Sequence, residues 1–227
     1  RHCPVCQGAA REAWVRGRLA ELLPVPYFHI VFTLPGELRP LALRNKKILY
    51  DILFRAASET LMEVSKRRLG AEIGTLAVLH TWGQNLLDHP HLHFVATGGG
   101  LSPDGERWIH GDARFFLPVK VLSSVFRGKF LSMLEKAYGS LGFPGVIAPL
   151  GDRVAFDDLL RRASRKPWVV YAKAPFGGPA QVIAYLGRYT HRVAIANGRL
   201  LDRDGDLVRF RLKDYAEGGV VKEMTLG

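Results

Sequence analysis

The sequence predicts an α+β fold, a central antiparallel sheet with helices packed against it. Three observations predict it. Helical and strand-like segments alternate irregularly along the chain. Turn signals suited to hairpins, among them Asn197-Gly198 and Asp204-Gly205, separate several of the strand-like runs. Hydrophobic residues make up 48% of 227, a globular composition with length for one good-sized domain and an appendage.

Each element has its own warrant. Residues 9–22 suit a short helix, ended by Leu23-Pro24-Val25-Pro26. Residues 27–34 are aromatic and β-branched between prolines and read as a strand. Residues 45–68 carry the strongest helical period, through Ile48, Leu49, Ile52, Leu53, Ala56, Leu61 and Val64, and Gly70 marks its end. Residues 75–82 and 91–97 read as the arms of a hairpin around a turn-rich stretch at 83–90, and Gly98-Gly99-Gly100 closes it. Residues 101–117 read as loop and edge structure, 118–140 as an amphipathic helix, 157–165 as a short basic helix and 168–173 as a strand. After the breaker-rich 175–179, residues 180–189 form a helix, with Pro179 suited to its first turn. Short strands follow at 193–196, 207–212 and 220–225.

Lys plus Arg outnumber Asp plus Glu by 32 to 21, a formal charge of +11, which favours a polyanionic partner such as nucleic acid. No apolar stretch has the roughly 20 residues a membrane-spanning helix needs, so no membrane partner is expected. The chain opens on Arg1 with no signal peptide and ends within a strand-like run, so both ends are expected to be cut. Only two cysteines occur, Cys3 and Cys6, which fits a reducing cytoplasm. Cys-x-x-Cys is half of a tetrahedral zinc site; a redox pair or an incidental spacing are the alternatives.

The most informative stretch is Asp88-His89-Pro90-His91-Leu92-His93. Side chains alternate faces on a strand, so His91 and His93 project to one side and Leu92 to the other. Two imidazoles so placed can share one divalent cation. Imidazoles alone leave its identity open, and an oxygen ligand would favour Mg or Mn. Gln84, Asp88 and Gln181 are available oxygen donors, and His89 shares the parity across Pro90.

On the helix at 180–189, Gln181, Tyr185 and Tyr189 lie four apart and share one face. Gly187 between the tyrosines permits close approach of another backbone. Arg188 and Arg192 can hold phosphate oxygens. A phenol with a pKa of about 10 is a weak nucleophile at neutral pH. A cation that polarises a phosphate, together with nearby positive charge, makes its attack feasible.

These residues resemble a known family. His91-Leu92-His93 resembles the His-hydrophobe-His motif of the HUH nucleases. Residues 185–197 resemble the two-tyrosine signature of rolling-circle transposases of the insertion sequence ninety-one type. Thr81-Trp82-Gly83-Gln84 and residues 168–179 resemble the flanking stretches, and residues 1–7 the closing half of that family's N-terminal zinc-binding segment. The resemblance implies an HUH nuclease-like sheet with the histidines on a middle strand and the tyrosine helix beside it. It implies a truncated zinc-binding segment plus linker helix at 1–24, with Cys3 and Cys6 as zinc ligands, and a catalytic domain at 25–227. It implies Mg or Mn at His91 and His93, with Gln181, Gln84 or His89 as the third ligand. Tyr185 and Tyr189 would be the nucleophiles, and single-stranded ends of a mobile element the substrate. Cleavage would leave a 5′-phosphotyrosine and a free 3′ hydroxyl. Arg188, Arg192, Lys173 and His191 would contact DNA, and homo-oligomerisation is left open.

The remaining histidines have plainer readings: His29 and His80 as satisfied core groups, His110 in a loop. Clusters at Lys66-Arg67-Arg68 and at Arg161, Arg162, Arg165 and Lys166 add affinity for phosphates without reading sequence. Trp82, Trp108 and Phe176 can stack on unpaired bases, with burial the alternative for Trp82. Two other functions fit the same residues: a hydrolase using metal-bound water, and a non-catalytic nucleic-acid-binding module.

Overall fold

The structure is a computed structural model. It describes residues 4–112, 117–173, 178–190, 195, 197–214 and 217–227, with the side chains of 4–6, 173, 188–190 and 197 outside that set. In chain order the elements are α1 (Pro4–Ala20), β1 (Tyr27–Thr33), α2 (Arg39–Arg44), α3 (Lys46–Leu69), β2 (Glu72–Trp82), β3 (Asp88–Leu101) and β4 (Trp108–His110). They continue with α4 (Val119–Lys136), α5 (Arg153–Ser164), β5 (Val170–Lys173), α6 (Pro179–Thr190), β6 (Leu200–Asp204), β7 (Leu207–Asp214) and β8 (Val220–Leu226). The central sheet runs β2-β3-β1-β5, with β4 paired to the far end of β3, and β6-β7-β8 form a separate three-stranded sheet. All these pairings are antiparallel, as the α+β reading requires.

Strand parity sorts the central sheet into two faces. Phe28, Ile30 and Phe32 of β1 and Leu92, Phe94 and Ala96 of β3 point to one face, where α3 and α4 cover them in the main core. An aromatic cluster ties the layers together. Phe126 of α4 lies 4.9 Å from Phe32 and 5.2 Å from Trp168 between ring centroids. Buried Trp168 satisfies its indole N–H on the Ala163 carbonyl at 3.0 Å, and its own carbonyl accepts from Ser123 Oγ. On the opposite face Tyr27, Val78 and Val95 meet Val182 and Leu186 of α6 in a second, smaller cluster, with Trp14 and Leu22 against it.

Helix ends follow the local chemistry. Gly70 takes φ +64 and closes α3 with its N–H on the Lys66 carbonyl. Asp152 caps α5 by accepting from the Ala155 N–H at 3.0 Å, so that helix starts four residues before the expected 157. Strand β3 is longer than expected and takes in Pro90. The proline sits where the β2–β3 register shifts, between the His80 and Trp82 pairings, so its missing N–H breaks no regular rung. Helix α1 begins earlier than residue 9, and α2, β4 and β6 are too short to leave a periodic signal. The strand expected at 193–196 falls, apart from Ile195, outside the described residues.

Candidate active site

Strand register builds the site. β3 carries His89, His91 and His93 on the face away from the main core. Antiparallel pairing sets His80 of β2 directly opposite His91, and Val31 and Thr33 of β1 opposite His93 and His91. His80, His91 and His93 thereby offer one ligand atom each, all within 4.8 Å of one another. Ring centroids are 4.1 Å apart for His80–His93, 4.9 Å for His91–His93 and 5.1 Å for His80–His91. Nitrogens held about 2.1 Å from one ion lie within about 4.2 Å of each other, so a small side-chain adjustment suffices.

The ring nitrogens are already sorted. His91 Nδ1 meets the His89 carbonyl at 2.6 Å, which directs its Nε2 into the cluster. His93 Nδ1 meets His29 Nε2 at 2.8 Å, and His93 Nε2 is buried with no hydrogen-bond partner among the described residues. A buried, unpartnered imidazole nitrogen is costly, and a cation is the partner that this donor set fits. Burial also keeps the rings neutral. It pushes His80 down to about 3 and His89 to about 4, with neighbouring His91 adding to each. His93 is lowered by burial and then by His80, His91 and His29, and His91 by burial against the opposing His89 carbonyl bond. Neutral imidazoles are the ligand form.

Helix α6 lies over this face. Tyr185 sets its ring 6.1 Å from that of His93, at 61° between planes, and stays 37% exposed. Gly187, two residues on, is where α1 crosses α6: an added Cβ would stand 2.5 Å from Val15 Cγ2. The close neighbour at this glycine is the N-terminal helix, which approaches through the Val15 side chain and not, as expected, through its backbone. Tyr185 and the three histidines line one cleft of about 500 Å³. Arg39, Trp82, Asp88, Arg199 and Lys213 also line it. Arg199 is braced on the Arg211 carbonyl at 2.7 Å and over the Phe210 ring at 5.6 Å, and donates to the Gln84 carbonyl. That bond ties the β6–β8 sheet to the loop between β2 and β3, where Leu86 takes φ +62, rare for a residue with a side chain. Asp88, raised by burial against the opposing pull of Lys46 and Arg39, leaves Oδ2 unpartnered among the described residues.

The expected residues are distributed as follows. His91, His93 and Tyr185 come together. Of the three expected third ligands, Gln84 and His89 line the cleft, while Gln181 is exposed one turn before Tyr185 and does not line it. His89 is not in the histidine cluster; the nitrogen that joins His91 and His93 is from His80, expected among the satisfied core groups. His80 is indeed buried, at 2% exposure, but buried against His91 and His93. Parity with Val78 and Leu76 on a strand next to the histidine strand was the only local signal. Cys3, Arg192 and His191 lie outside the described residues, as do the side chains of Cys6, Lys173, Arg188 and Tyr189. Arg39, Arg199 and Lys213 were not singled out, because nothing local marks them as facing the histidines. Among the described residues no helix is long and apolar enough to cross a membrane.

With this geometry in place, comparison with known proteins defines the class. Residues 74–227 match the Y2_Tnp family, described as "Putative transposase", and residues 1–34 match Zn_Tnp_IS91, described as "Transposase zinc-binding domain". The chain belongs to the Y2_Tnp transposase family. It is 55% identical over 230 aligned positions to "Putative transposase y4qJ" of Sinorhizobium fredii (strain NBRC 101917 / NGR234), covering 100% of this chain and 58% of that one. It is 31% identical over 220 to "Transposase for insertion sequence element IS801" of Pseudomonas savastanoi pv. phaseolicola, covering 95% of this chain and 51% of that one. The chain thus spans little more than half the length of these relatives. Among solved structures, the conjugative relaxase TrwC in complex with oriT DNA, in its metal-bound form, is similar at 13% identity and TM-score 0.38, covering 73% of this chain and 71% of that one.

Proposed function

We propose that the chain carries the catalytic centre of a DNA transposase that nicks and rejoins single-stranded DNA through a 5′-phosphotyrosine on Tyr185. The observation that carries this reading is the placement of the Tyr185 ring 6.1 Å from His93, in the same cleft as the His80–His91–His93 cluster. Membership of a transposase family supports it.

In the first step Tyr185 Oη attacks the scissile phosphorus in line and gives up its proton. The bond from phosphorus to the 3′ oxygen breaks, and that oxygen leaves as a hydroxyl after taking a proton. The phosphodiester's energy is kept in the tyrosyl ester, so a 3′ hydroxyl of another strand can attack it and restore Tyr185. Tyr189, one turn on, is proposed as the second nucleophile. His80, His91 and His93 would hold a divalent cation that polarises the phosphate and offsets developing charge. Three nitrogen donors suit a borderline transition ion better than Mg²⁺, so Mn²⁺ is the better fit of the two. Arg39, Arg199 and Lys213 line the cleft and are proposed, with Arg188, Arg192, Lys173 and His191, to hold the strand's phosphates. Zinc at Cys3 and Cys6 is proposed for the N-terminal segment, in line with its family match.

The test is a covalent adduct. A single-stranded oligonucleotide carrying the mobile-element end, incubated with the protein and Mn²⁺, should give a protein–DNA species that survives denaturing electrophoresis. Chelator and Tyr185→Phe should each abolish it, with the Phe variant still folded. Cleavage without adduct would instead make this a hydrolase using metal-bound water. Binding indifferent to chelator and to His91→Ala would make it a non-catalytic module.

A further inference from the structure

His29 lies on β1, 64 residues from His93 in sequence, yet its Nε2 is 2.8 Å from His93 Nδ1. The two rings stack at 5.0 Å with only 13° between their planes. The register explains the meeting: Val31 of β1 faces His93 and His29 faces Val95, so His29 is the diagonal neighbour on the same sheet face. Tyr171 of β5 braces the other side of the His29 ring, edge-on at 6.4 Å. A neutral imidazole has one N–H and one lone pair, so a partner accepting at one nitrogen sets where the other's lone pair lies. His91 has such a partner in the His89 carbonyl. Among the described residues, no backbone carbonyl plays that role for His93.

We propose that His29 is a positioning residue for the cation site: its Nε2 accepts the Nδ1–H of His93, which fixes the tautomer and ring angle that present His93 Nε2 to the ion. This rests on the reading of the three-histidine cluster as a cation site. His29 itself touches neither ion nor substrate. Its loss leaves His93 free to adopt the other tautomer, with its proton where the ion must bind.

The experiment measures Mn²⁺ affinity of the whole chain by calorimetry, with the electron paramagnetic resonance of bound Mn²⁺ as a second readout. His29→Phe keeps a ring but removes the acceptor and should weaken Mn²⁺ about 10–100-fold. His29→Gln reaches the same point with its amide oxygen and should recover most of that loss. His29→Asn, too short to reach, should behave like the Phe variant and replaces it if the Phe chain does not fold. Thermal melting without metal should be alike in Gln and Asn variants. Wild-type affinity in His29→Phe or His29→Asn overturns the positioning role alone, as does an equal loss in His29→Gln, which would mark a packing role. A wild-type chain that binds no Mn²⁺ overturns both this proposal and the cation-site reading.

Discussion

The two faces of strand β3 do different work with alternate residues of one segment. Leu92, Phe94 and Ala96 are fully buried in the main core under α3 and α4. His91 and His93 turn the other way, into a cleft roofed by Tyr185, with Val95 behind them in the smaller cluster under α6. One face is closed mainly by apolar packing, with its few buried polar groups, such as Ser123, satisfied on backbone carbonyls. The other combines apolar packing at one end with neutral imidazoles at the other. The contrast teaches that the rigidity of the site comes from its reverse side: the histidines are held in place because their neighbours in sequence cannot leave the core.

The comparison can be broken most severely from the core side. Phe94→Ala should destabilise the fold by about 3–5 kcal/mol, read by denaturant unfolding. His91→Ala, one face over, should change metal-free stability by about 1 kcal/mol or less yet remove Mn²⁺ binding. If both variants lose stability equally, the two faces are not separable. A smaller effect is expected at the roof. Gly187→Val forces a side chain into Val15 across the α1–α6 crossing and should cost about 1–3 kcal/mol. It should also lower adduct formation more than Mn²⁺ affinity, because α6 carries the tyrosine and not the histidines. Equal loss of both would show that α1 supports the whole site.

The smallest expected effect is acid sensitivity. His80 and His89 have folded pKa values of about 3 and about 4, below the ordinary 6.5. The stability linked to these depressed values is fully present above pH 6.5 and is lost as pH falls from there toward 3, because the unfolded chain takes up protons first. Metal-free melting temperature should therefore fall between pH 7 and pH 5. His80→Ala should flatten that slope, whereas Phe94→Ala should lower the curve without changing it. A flat profile in the wild type would contradict the buried, neutral cluster.

Local pattern made much of this legible. Alternation placed His91 and His93 on one face, helical spacing put Tyr185 on one face with Gln181 and Tyr189, and the glycine between the tyrosines signalled a close neighbour. At α5 and β3 the bounds differ from expectation for non-periodic reasons: a capping Asp152 before α5, and a proline accommodated at a shifted register in β3. Cation-site candidates were a harder case. His80 joins His91 and His93 from the neighbouring strand, and no spacing within the histidine strand or the tyrosine helix points to it.

From its sequence alone this protein determined the types of its longer elements, the parity of the histidine strand, the basic charge and the motifs of a transposase. Those depend on residues within a few positions of each other, where strand and helix geometry leaves little freedom. Tertiary structure decided that β2 pairs with β3 so that His80 meets His91, that β1 brings His29 to His93, and that α1 crosses α6 at Gly187. Such meetings join distant segments, and burial of the whole sheet selects them; no short stretch of residues encodes them.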